Sequence, residues 1–86
     1  MPDVHLRYWA GAMAAAGTDA ETFAARTVRE ALDQARQGRG EHYARVLSAC
    51  SLLVDGLSAR GEDLDRPLTA AVEVEVLPPF AGGSAS

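Results

Sequence analysis

The sequence predicts an α+β fold: a mixed sheet of four to five strands with helices packed on one face. Three observations predict it. Residues 4–9, Val-His-Leu-Arg-Tyr-Trp, alternate with period two, and so do residues 72–77, Val-Glu-Val-Glu-Val-Leu. Period two sends successive side chains to opposite faces of a strand. Between these segments, Thr27-Val28-Arg29-Glu30 opens a stretch in which Val28, Ala31, Leu32 and Ala35 recur at helical spacing. That spacing makes one apolar stripe, which must be covered by something.

Each element follows in chain order. In the first strand Val4, Leu6 and Tyr8 face one way; His5, Arg7 and Trp9 face the other. Ala10 to Ala16 is rich in alanine, the best helix former, and Gly17 stops it. Glu21-Thr22-Phe23-Ala24 reads as a short second strand. Thr27 then caps a helix by accepting from the amide of Glu30, and the Glu30 carboxylate is expected to return to the amide of Thr27, the reciprocal capping box. Gly38 and Gly40 end that helix. A second helical stretch carries Tyr43, Val46, Leu47 and Cys50 on one face. Leu52-Leu53-Val54 reads as a strand ended by the turn Asp55-Gly56. Ser58 to Pro67 reads as a polar loop with room for one short edge strand around Leu64. In the last strand three valines face the core while Glu73 and Glu75 face water. A helical crossover permits parallel neighbours. The first and last strands carry the clearest alternation, which places them together at the sheet centre.

The totals exclude several functions. Eighty-six residues make one domain with a small core, and 17 of them are alanine, which buries little. Net charge is −4 and the pI near 4.9, opposite to the basic footprint of a nucleic-acid binder. No run approaches the roughly 20 apolar residues of a membrane span. Met1-Pro2-Asp3 lacks the basic and apolar regions of a secretory signal, so a cytoplasmic location is expected. One cysteine, Cys50, closes no intrachain disulfide, and its place on a helix face reads as a small buried hydrophobe. His5 and His42 lack metal-ligand spacing, so no metal site is expected. Gly61-Glu62-Asp63-Leu64-Asp65 lacks the calcium-loop pattern. No nucleophile elbow, zinc-protease motif or phosphate loop is present, so the chain is not expected to be an enzyme by itself.

Chemistry therefore moves to the C-terminal segment. Residues 1–77 form the domain and residues 78–86 a flexible tail, Pro-Pro-Phe-Ala-Gly-Gly-Ser-Ala-Ser. Pro78 and Pro79 cannot donate to a ladder and hold the backbone extended. Phe80 reads as an anchor for a partner's pocket, the alternative being that it folds back on the sheet. Ala81 adds little bulk, and Gly82 and Gly83 can enter a channel too narrow for a Cβ. Pro78 to Gly83 spans about 20 Å when extended. The one group this arm could deliver, if the chain ended at Gly83, is that residue's α-carboxyl. Joined to AMP, that carboxyl becomes an electrophile, and a sulfur nucleophile can then convert it to a thiocarboxylate.

The ending Leu77-Pro78-Pro79-Phe80-Ala81-Gly82-Gly83 after a valine strand resembles the MoaD/ThiS family of ubiquitin-like sulfur carriers, in particular the small subunits of molybdopterin synthases. The opening strand with its alanine-rich turn, the Thr27–Leu32 helix start and Leu53-Val54-Asp55-Gly56 are similar to that family too. The resemblance implies a ubiquitin-like β-grasp fold with no cofactor of its own. It implies an ATP-dependent, ubiquitin-activating-like adenylyltransferase and sulfurtransferase acting on Gly83, with Pro78, Pro79, Phe80, Ala81 and Gly82 as the partner-binding arm. It further implies an acceptor: the large subunit of molybdopterin synthase, or an enzyme making the thiamin thiazole, cysteine or a thiolated natural product. Two rival readings stand beside the carrier: a ubiquitin-like modifier joined to lysines through Gly83, and a plain β-grasp interaction domain whose tail does nothing. Family members act with the second glycine as terminus. Ser84-Ala85-Ser86 is therefore expected either to be cut off, as zinc-dependent peptidases do for some relatives, or to be an expression-linker remnant.

Overall fold

The computed structural model describes residues 1–79. Five strands form one sheet: β1 (Asp3–Tyr8), β2 (Ala20–Ala24), β3 (Ser51–Val54), β4 (Leu57–Ala59) and β5 (Val72–Leu77). Three helices, α1 (Ala10–Ala16), α2 (Val28–Arg36) and α3 (Gly40–Ala49), and a 3₁₀ turn (Gly61–Asp65) complete the chain. The order across the sheet is β2-β1-β5-β3-β4. β1 and β5 run parallel in register Val4↔Val72 through Tyr8↔Val76, as expected, and every other neighbouring pair is antiparallel.

The alternation decides which face is covered. Val4, Leu6, Tyr8, Val74 and Val76 are almost wholly buried. They meet Ala12 of α1, the Val28, Ala31, Leu32 and Ala35 stripe of α2, and Tyr43 and Leu47 of α3 in one core. His5, Arg7, Thr22 and Glu73 lie on the opposite, exposed face.

Local signals explain most boundaries. Gly17 takes φ +80° and returns its amide to Met13 O, a left-handed stop that costs other residues strain. Thr27 Oγ1 accepts from Glu30 N at 3.0 Å, so half of the expected box forms. The other half does not: the Glu30 carboxylate accepts from Arg26 N at 2.7 Å instead of from Thr27. A donor ahead of the helix is still satisfied, one residue earlier. β1 also stops sooner than its alternation, because Trp9 serves as the N-cap of α1.

The region after β3 departs most from the sequence reading. Asp55 and Gly56 both have positive φ, 49° and 84°. That is the two-residue hairpin geometry matching strand twist, so the chain turns back at once and the edge strand is Leu57–Ala59. No strand forms around Leu64. This leucine, the lone apolar residue of its acidic stretch, is instead turned inward by the 3₁₀ turn and buried. Arg29 latches the turn to α2 through Nε to Asp65 Oδ1 at 2.6 Å and Nη2 to Gly61 O at 2.9 Å. Asp55 fixes the hairpin to β5 by exchanging bonds with Glu73, N to O at 2.8 Å and Oδ1 from N at 2.9 Å.

Leu6 sits fully buried on a central strand. Leu6→Ala is expected to cost about 2–5 kcal/mol of unfolding free energy, read from the denaturant midpoint. A loss below about 1 kcal/mol would contradict its central placement.

Candidate functional site

The described part of the tail begins where β5 leaves the sheet. Trp9 N donates to Val76 O at 3.2 Å, the last bond from the β1 side. Leu77 is opposite Ser51 of β3. Pro78, half-buried, and Pro79, exposed, then follow without amide hydrogens. The root of the arm thus lies between the end of β1 and the start of β3, near the middle of the sheet rather than at an edge. Phe80, Ala81, Gly82 and Gly83, and the Ser84-Ala85-Ser86 extension, lie outside the described residues. Beside the root is the partly exposed Trp9, at 41%. Arg7 stacks its guanidinium 5.3 Å from the Trp9 ring centroid, an arrangement that holds the indole in place on the open face.

Beneath the root is a polar cluster that the sequence reading did not anticipate. Tyr8 OH donates to Glu21 Oε2 at 2.6 Å. Having one hydrogen to give, it accepts from Tyr43 OH at 2.7 Å. Arg39 clamps Glu21 with both terminal nitrogens, Nη1 to Oε2 at 2.7 Å and Nη2 to Oε1 at 2.8 Å. Arg39 Nη1 also donates to Ala35 O at 2.7 Å, and its guanidinium covers the Tyr43 ring at 4.8 Å. The tyrosine rings meet edge to face, 6.2 Å apart. The cluster ties α3 and the α2–α3 link to β1 and β2 at the tail end of the sheet. The available signal was Tyr8 itself: a core-facing phenol needs a partner once buried.

Titration behaviour follows this geometry. Burial, reinforced by the bonds to Glu21 and Tyr43, pushes the Tyr8 phenol far above its usual range. Burial raises Tyr43 as well, against the pull of the Tyr8 bond and the Arg39 charge. Burial would also raise Glu21, but the bonds from Arg39 and Tyr8 and the Arg39 charge outweigh it, leaving the carboxyl below its ordinary value. Cys50 is half-buried, donates to Val46 O at 3.1 Å, and is raised by burial alone. It is a poor thiolate and packs against the core, as its helix-face spacing suggested.

Among the described residues no group of three His, Cys, Asp or Glu side chains could hold a metal. No helix there is long and apolar enough to cross a membrane. A concavity of about 390 Å³ beside α2 and β4 is lined by Arg29, Arg36, Arg60 and serines, with no acid–base pair.

The ThiS family profile matches residues 6–83, almost the whole chain and the whole of the Gly-Gly arm. The chain belongs to the ThiS family. No curated protein matches it by sequence. Its fold is the ubiquitin-like β-grasp of solved relatives. The small archaeal modifier protein 1 of Methanosarcina acetivorans is similar at TM-score 0.78 and 22% identity, covering 96% of this chain and 98% of its own. A putative molybdopterin converting factor, subunit 1, from Pyrococcus furiosus is similar at 0.74 and 21%, covering 93% and 100%. A complex of subunits 1 and 2 of the Helicobacter pylori molybdopterin-converting factor matches at 0.64 and 18%, covering 91% and 95%. ThiS-family proteins are small carriers rather than catalysts.

The Glu21 cluster generates a pH prediction. A carboxyl lowered by folding contributes stability above its unfolded value, near 4.5, and loses it as pH falls through the folded value. Glu21→Gln is expected to lose about 1–3 kcal/mol near neutral pH. Its stability should then decline less than wild type on acidification below that value. Parallel acid limbs in urea titrations of the two proteins would contradict the assignment.

Proposed function

We propose that this ThiS-family chain is a sulfur carrier whose reactive group is the backbone carboxyl of Gly83. The observation that carries the reading is that the family match runs to residue 83 and ends there, leaving Ser84-Ala85-Ser86 beyond it. An amide at Gly83 has no carboxylate oxygen to attack ATP. Removal of residues 84–86, for which a zinc-dependent peptidase is the expected agent, supplies that oxygen. The carboxylate then attacks the α-phosphate in a ubiquitin-activating-like adenylyltransferase, forming a mixed anhydride and releasing pyrophosphate. Hydrosulfide equivalents displace AMP as the C–O bond to phosphate gives way to C–S.

The chain's own contribution is delivery. Prolines at the root reduce the freedom lost when a partner orders the arm. Phe80 supplies apolar contact, and Gly82-Gly83 pass where side chains cannot. The likeness to subunit 1 of molybdopterin-converting factors, one of them seen with its subunit 2, supports the large subunit of molybdopterin synthase as the acceptor. The likeness to a small archaeal modifier protein favours a second reading, in which the activated carboxyl joins protein amines. Isopeptide adducts in place of a free thiocarboxylate would identify that second role.

The test is ATP–pyrophosphate exchange with the cognate activating enzyme. Exchange is expected for chain trimmed at Gly83 and absent for the full 86 residues. Equal exchange by both would overturn the need for trimming. Gly83→Ala in the trimmed chain should leave the unfolding midpoint unchanged and strongly slow activation, because a Cβ crowds the channel. An unaltered rate would refute the steric account. Phe80→Ala should weaken binding to the activating enzyme by about 2 kcal/mol, roughly 30-fold. Unchanged affinity would remove Phe80 from the contact.

A further inference from the structure

All eight basic residues of the chain are arginine; lysine does not occur in these 86 residues. Structure accounts for only some of them. Arg29 needs its fork to hold both Asp65 oxygens and Gly61 O. Arg39 grips both oxygens of Glu21 and also Ala35 O. Arg7 lies over Trp9 as a planar cation. A lysine ammonium could not reproduce these contacts. Elsewhere it could. Arg45 is exposed on α3. The Arg66 side chain is 78% exposed and makes one ion contact, 3.2 Å to Asp63. Packing gives no reason for a guanidinium at either position.

The arm's chemistry gives one. An activated glycine carboxyl is attacked by neutral amines: the C–N bond forms, the bond to the leaving group breaks, and the ammonium proton passes to solvent. Lysine titrates near 10.4, whereas arginine stays protonated well above that and offers no free lone pair. Two other nucleophiles remain. The Cys50 thiol is half-buried, bonded to Val46 O and raised by burial, and thioesters formed on a thiol exchange back. An α-amino group ahead of β1 would stand at the far end of the sheet, because β1 and β5 are parallel and the arm leaves from the other end.

We infer that the lysine-free surface gives this chain's activated terminus no side-chain amine acceptor on the chain itself or on a second copy. An activated copy meets no side-chain amine on itself or on another copy. Its acyl group is kept for the sulfur nucleophile or for a foreign amine. Any conjugate it forms through side-chain amines therefore stops at one unit. The inference rests on the proposed activation at Gly83, but its test does not use the activating enzyme.

The experiment installs a 2-mercaptoethanesulfonate thioester on the Gly83 carboxyl through an intein fusion. Wild type, Arg45→Lys and Arg66→Lys are incubated at high concentration and mildly alkaline pH, with and without Nα-acetyl-lysine. Intact mass and peptide mapping are the readouts. Wild type should hydrolyse without side-chain-linked dimer and should be captured by Nα-acetyl-lysine. Each variant should form dimer at the substituted position, at least about a hundredfold above wild type, from the difference in free-base fraction between the two side-chain types. Side-chain-linked dimer in wild type at a comparable yield would overturn the inference. So would variants that stay monomeric while Nα-acetyl-lysine is captured, or a thioester that no amine captures. Failure of enzymatic loading would sink the carrier reading and leave these outcomes unaffected.

Discussion

The parallel pairing of β1 with β5 is the constraint on which the rest of the structure depends. It brings residues 4–8 against residues 72–76, so nearly the whole chain must be folded between two neighbouring strands. Such a contact closes a long loop and has to be compensated by deep burial. Val4, Leu6 and Tyr8 from one strand and Val74 and Val76 from the other provide it. The same pairing makes β5 an inner strand, flanked by β1 and β3. The arm therefore departs from a strand held on both sides as far as Val76, with Leu77 opposite Ser51 of β3.

A polar cluster secures that end from below. Tyr8 reaches the helix layer from the final position of β1, and its hydroxyl would be costly to bury alone. Glu21, Tyr43 and Arg39 satisfy it in a closed circuit. No buried side-chain nitrogen or oxygen among the described residues lacks a partner. Bidentate pairing by Arg39 is stronger and more directional than an exposed ion pair. Apolar packing joins the helices to the sheet, and this circuit adds directional bonds from α3 and the α2–α3 link to β1 and β2.

Much of this was legible in the sequence because the signals were periodic. Val4–Tyr8 and Val72–Leu77 declared their strands and their covered face, and Val28, Ala31, Leu32 and Ala35 declared the helix stripe. Central placement of the first and last strands rested on their clear alternation, and the intervening helices permitted them to run parallel. The misreadings came where single residues carried the information. Asp55-Gly56 marks a turn, but only its paired positive φ values make it a tight hairpin that places the edge strand at Leu57–Ala59. Leu64, one leucine among acids, shows no period to tell strand from 3₁₀ turn. Glu30 had two amides within reach and took Arg26. The Tyr8–Glu21–Arg39–Tyr43 circuit joins residues up to 35 positions apart, which local pattern cannot reveal. For the arm, composition spoke before geometry: Phe80 to Gly83 are read from residue type and from the span of the family match.

The functional account places reactivity on the main chain. The side chains of the described domain fold it, cap it and hold the arm's root, and none of them forms an acid–base pair in a cavity. In the proposed role, lowering the barrier to sulfur transfer would be left to partners that activate and receive the terminus. The most direct measurement is the intact mass of chain ending at Gly83 after incubation with an activating enzyme, ATP and a sulfur donor. The account predicts replacement of one oxygen by one sulfur, localised by fragmentation to the terminal glycine. An unchanged mass, or sulfur located on Cys50, would contradict it.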